Sequence, residues 1–95
     1  MATLLKADGT TLAVIGALTL EHMQRLVGGY VEFVRIGPGG EVLIVDEEGL
    51  LKDKPLNAAA TALYRGSPPR HSGIIVGDAI RCVVTNMGQV SETYA

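Results

Sequence analysis

Ninety-five residues, 47% of them hydrophobic and 19% charged, with a formal net charge of −2, suffice for one folded domain. They exclude a two-domain enzyme and lie far from the low-hydrophobicity, high-charge composition of a disordered chain. A mean hydropathy of +0.29, high for a small soluble domain, predicts that some apolar surface is covered by a partner.

Residues 3–7 and 10–15 are short apolar segments joined by Asp8-Gly9, a dipeptide suited to the positive φ angles of a two-residue hairpin turn. Thr19 then reads as the N-cap of a helix in which Leu20, Met23, Leu26 and Val27 recur at helical spacing, with Glu21 and Arg25 paired on the opposite face. Gly28-Gly29 ends that helix.

Residues 30–36 and 41–46 form a second predicted hairpin around Gly37-Pro38-Gly39-Gly40, with Gly39 as the positive-φ residue. Tyr30, Val34 and Ile36 alternate with Val31 and Phe33, and Val42 and Ile44 alternate with Leu43 and Val45, so both faces of this sheet are apolar. Two short helices packed on one side leave the second face for another subunit, and a homodimer is expected on that ground.

Asp46-Glu47-Glu48-Gly49 reads as a turn with Gly49 at positive φ, followed by Leu50 and Leu51 as loop anchors. Asn57 is an N-cap for an alanine-rich helix over residues 58–64, with Pro55 upstream. Residues 66–73, with Ser67, Pro68, Pro69 and Arg70, read as an exposed loop, and residues 74–76 and 79–85 as extended segments around Gly77-Asp78. The domain is therefore placed at residues 1–85, with a C-terminal tail over 86–95.

Several stretches carry a likeness: Leu18-Thr19-Leu20-Glu21-His22-Met23-Gln24, Val27-Gly28-Gly29-Tyr30-Val31-Glu32, Val45-Asp46-Glu47-Glu48-Gly49, Leu51-Lys52, Pro55-Leu56-Asn57 and Ile75-Val76-Gly77. In order and spacing over residues 18–84 the chain resembles a family of small proteins, classed as a domain of unknown function, found in phages, plasmids and other mobile elements. The resemblance implies a compact α+β fold and a mobile-element setting, and brings no established activity or catalytic residue. The chain departs from the pattern at His22, where an acidic residue is usual, and in the loop around Pro68-Pro69-Arg70-His71.

Chemistry is sparsely signalled. One cysteine, Cys82, and two histidines, His22 and His71, exclude an intramolecular disulfide and a standard structural zinc site, and favour a reducing compartment. The spacing brings no histidine to a nucleophile, and Cys82, alternating with Arg81 and Val83, reads as a buried thiol. His22 reads as a helix-flank residue and Tyr64 as a packing residue. Asp46, Glu47 and Glu48 lack calcium-loop spacing, and neither glycine-rich stretch opens a helix as a phosphate loop does. No catalytic residue, metal ligand or cofactor is therefore assigned.

The apolar stretch over residues 12–20 is broken by Gly16 and Thr19 and lacks a small-x-small cleavage pattern, and no run is long enough to span a bilayer. A cytoplasmic protein without membrane contact is expected.

Charge is unevenly distributed. Acidic residues outnumber basic ones seven to three up to Glu48, whereas from Gly49 onward basic residues outnumber acidic ones five to three. Lys52, Lys54, Arg65, Arg70, His71 and Arg81 are the set whose sign suits nucleic acid or another anion, although a pI near 5.5 opposes strong non-specific DNA binding.

The sequence thus predicts a single α+β domain of five to six antiparallel strands and two helices. The expected function is that of a non-enzymatic, homodimeric accessory binding protein of a plasmid or phage, contacting nucleic acid or a host or element protein. The alternatives are a sequestering protein that holds a small anionic or nucleotide ligand at the subunit interface, and a small hydrolase built across the dimer.

Overall fold

The computed structural model describes residues 2–37, 39–66 and 73–83. Five strands, β1 (Ala2–Leu5), β2 (Thr11–Val14), β3 (Val31–Arg35), β4 (Glu41–Asp46) and β5 (Ala79–Val83), form one antiparallel sheet in the order β2-β1-β5-β4-β3. Helix α1 (Leu20–Val27) joins the two hairpins and α2 (Ala58–Gly66) precedes β5. The expected α+β architecture is therefore present. β5 lies between the hairpins, pairing Ile80 with Leu4 on one side and with Ile44 on the other.

Strand alternation divides the core into two layers. Ile44 and Ile80 pack with Ala2, Leu4, Met23 and Val27 beneath α1, whereas Leu43, Val45 and Ala79 pack with Leu5, Ile36, Ala60 and Ile75 beneath α2. The helices therefore lie on opposite faces, not on one side as the strand pattern had suggested. Each apolar face receives its own helix from the same chain, and this removes the reason for requiring a second subunit to cover a face.

The ends of α1 follow from its sequence. Thr19 Oγ1 accepts the His22 N–H at 3.1 Å, and Gly28, at φ 81°, donates its N–H to the Gln24 carbonyl at 2.8 Å. Arg25 pairs with Glu21 at 3.0 Å on the exposed side. Asn57 caps α2 by accepting the Ala60 N–H at 3.0 Å, and the helix runs to Gly66.

The turns differ in detail from expectation. In the first hairpin Gly9 alone has positive φ, at 94°; its N–H reaches the Lys6 carbonyl, and Asp8 Oδ1 accepts the Thr10 N–H at 2.8 Å. This is the longer turn with a glycine bulge, in which the aspartate supports the chain through its side chain and keeps negative φ. In the second hairpin Gly40, not Gly39, carries the positive φ of 82°, while Pro38 lies outside the described residues. Gly49 is not at positive φ; Asp53 is, at 53°. Gly49 is instead a residue of close approach, because a Cβ there would stand 3.0 Å from Val76 Cγ2.

Leu50 and Leu51 do not anchor their loop, being 65% and 84% exposed. Of residues 74–76, only Val76 makes a bridge, antiparallel to Leu56, so this segment is not a strand. The loop over residues 67–72, the extension of the last strand over 84–85 and the tail over 86–95 lie outside the described residues.

Candidate functional site

The basic residues singled out from the sequence are spread over separate elements. Lys52 and Lys54 sit on the loop after β4 and converge on Asp46, whose side chain is wholly buried. Asp46 Oδ2 lies 2.9 Å from Lys52 Nζ and 2.5 Å from Lys54 Nζ, and Oδ1 accepts the Glu48 N–H at 2.9 Å. Burial pushes this carboxyl up, but the two ammonium groups and the Glu48 N–H outweigh it and hold the pKa at about 2.

Both lysines also donate to the end of α1, Lys54 to the Val27 carbonyl at 2.6 Å and Lys52 to that of Gly28 at 3.3 Å. Cations at this negative end of the helix dipole satisfy carbonyls left without intrahelical partners. A Cβ on Gly29 would fall 2.5 Å from Lys52 Nζ and 2.8 Å from both Asp46 carboxylate oxygens, so the glycine leaves room for the ion pair. The Gly28-Gly29, Asp46-to-Gly49 and Leu51-Lys52 motifs thus meet at one structural junction.

The Pro55-Leu56-Asn57 and Ile75-Val76-Gly77 motifs meet at a second junction. Asn57, fully buried, donates through Nδ2 to the carbonyls of Leu5 at 2.8 Å and Gly77 at 2.9 Å, while its own N–H reaches the Ile75 carbonyl. One amide side chain therefore joins β1, α2 and the approach to β5. Its N-cap role is local, but its buried role depends on strands distant in sequence.

Arg81 is engaged elsewhere. It alternates with Ile80 and Cys82, which face α1, and so points to the α2 side, where its guanidinium forms a bidentate pair with Glu41. Arg65 Nε donates to the Gly73 carbonyl at 2.9 Å, and Arg70 and His71 lie outside the described residues. Lys52 and Lys54 are thus brought together, while Arg65 and Arg81 stand on other elements with other partners.

Cys82 is half-buried among the residues beneath α1, and burial pushes its thiol up. His22 Nδ1 lies 2.9 Å from the Ala17 carbonyl.

The α2 side also contains a cleft of about 290 Å³ between the β3–β4 hairpin and residues 73–76. Val34, Val45 and Ile75 supply apolar wall and Tyr64 one flank, and the acidic residues Glu32, Asp46 and Glu47 are also among its lining. Leu50 and Ile74, 65% and 43% exposed, also line it. This volume is near the lower end for small-ligand pockets and suits a single side chain or a ligand of that size. Its acidic lining favours a cation. The signal in the sequence is Glu32, a charge on the same strand face as the core residues Val34 and Ile36.

Among the described residues no group of three or more His, Cys, Asp or Glu side chains could hold a metal ion, and no helix is long and apolar enough to cross a membrane. The fold and cleft define a small α+β domain in which an antiparallel sheet separates two helices. The family model described as Domain of unknown function (DUF3846) matches residues 1–93, and the chain belongs to that family. No curated protein and no solved structure matches it.

Proposed function

We propose that this domain is a non-enzymatic accessory binding module of a plasmid or phage, and that it recognises a host or element protein through the cleft on its α2 side. The observation that carries this reading is the acidic and apolar lining beside exposed Leu50 and Ile74. A lysine or arginine side chain of the partner lays its hydrocarbon stem against Val34, Val45 and Ile75 and brings its charge to Glu32 and Glu47. The mobile-element setting rests on the motif resemblance alone.

The test is an NMR titration of the ¹⁵N-labelled protein with N-acetyl-lysine methylamide, N-acetyl-arginine methylamide and a random-sequence DNA duplex at about 50 and about 200 mM salt. The cationic probes are expected to shift the amides of Glu32, Val34, Glu47 and Val76, with affinity reduced roughly tenfold in the E32Q/E47Q variant, equivalent to about 1.4 kcal/mol. No response to either cation, with salt-sensitive DNA shifts centred on Arg65 and residues 70–71, rejects the cleft reading in favour of nucleic acid. A response to inorganic phosphate or nucleotides at those residues supports the small-anion alternative.

A further inference from the structure

We infer that the edge of β2, which pairs with no further strand among the described residues, is a self-pairing surface, on which a second copy of this chain adds its own β2 antiparallel and joins two five-stranded sheets into one. The inference is independent of cleft recognition. It rests on a contrast between the outer strands β2 and β3. β3 carries Glu32 and Arg35, charges of the kind that discourage edge-to-edge association. β2 carries none, and the whole stretch from Gly9 to Leu20 is uncharged.

The ladder between β1 and β2 determines what this edge offers. Lys6 donates to the Thr10 carbonyl, and Leu4 pairs with Leu12 and Ala2 with Val14, so backbone groups of Leu12 and Val14 face β1. Those of Thr11 and Ala13 consequently face away from the sheet, and Ile15, the first residue after the strand, is next in the alternation if a pairing partner extends it. The side chains add apolar surface, Leu12 being 48% and Ile15 87% exposed.

A two-fold axis through Ala13 fits both properties. Ala13 then pairs with Ala13 of the second copy and Thr11 with Ile15, using the outward backbone groups in roughly six reciprocal hydrogen bonds. On the α1 side Leu12 of one copy lies beside Val14 of the other, extending the core layer to which Val14 already belongs. The small side chain at the axis permits close approach, and the uncharged strand meets its copy without like-charge repulsion.

The test is light scattering of the full chain from about 1 to about 500 µM, together with concentration-dependent amide exchange. The expected result is a mass approaching twice 10.0 kDa, with slowed exchange at Thr11 and Ala13 as concentration rises. Ala13→Pro removes a backbone donor that points off the sheet, a placement an edge strand tolerates, and should weaken self-association at least tenfold while retaining the fold. Should that variant fail to fold, Leu12→Lys supplies the same reading by placing like charges near the two-fold. A monomer throughout the range, or a dimer unaffected by folded Leu12→Lys with Thr11 and Ala13 exchange independent of concentration, overturns the inference.

Discussion

Replacing Asp46 by asparagine tests whether Lys52 and Lys54 serve the fold through this buried carboxylate. Asparagine retains an oxygen for the Glu48 N–H but removes the charge that draws both ammonium groups to the end of α1. Holding the native carboxyl at about 2, below its ordinary 3.8, corresponds to about 2 kcal/mol of folding free energy at neutral pH. Because the folded-state pKa is depressed, this contribution is fully present above the unfolded value and disappears as pH falls through about 2. Urea denaturation of the wild type and Asp46→Asn, followed by circular dichroism at pH 7, 4 and 2, should show a difference of about 2 kcal/mol at pH 7 that narrows steadily at lower pH. A penalty of equal size at pH 7 and pH 2, or none at either, would refute the ion-pair account. Other carboxyl groups titrate in both proteins and largely cancel from the difference.

Asn57→Ala should be the more damaging change, since it removes an N-cap and leaves the buried carbonyls of Leu5 and Gly77 without this donor. A loss of about 3 kcal/mol is expected, seen as a fall in thermal midpoint on the order of 15 °C. Gly29→Ala should cost about 1–3 kcal/mol by displacing Lys52 and Asp46, and a denaturation cycle with Asp46→Asn should show the two losses to be less than additive. Leu51→Ser should alter stability by no more than about 0.5 kcal/mol, in keeping with its 84% exposure; a larger loss would restore the anchoring role expected from sequence.

The acidic cleft illustrates how an accurate local pattern falls short of a site. The alternation of Val34 and Ile36 identifies a core face, and Glu32 belongs to that face, but the cleft exists only where Tyr64 of α2 and residues 73–76 come against the β3–β4 hairpin. The lysines present the opposite case. Their positive charge is evident in the sequence, whereas their commitment to Asp46 and to the Val27 and Gly28 carbonyls depends on the loop folding back onto α1.

By itself the sequence determined the elements whose causes lie within a few residues: the two hairpins, α1 between Thr19 and Gly28, and α2 beginning after Asn57. Backbone propensity, side-chain caps and hydrophobic alternation act at that range. Only the tertiary structure decided that β5 enters between the hairpins, that α1 and α2 take opposite faces, and that the basic residues divide among separate carboxylate and carbonyl partners. Those outcomes depend on which distant strands pair and how their two apolar faces are covered, choices that a local sequence pattern leaves open.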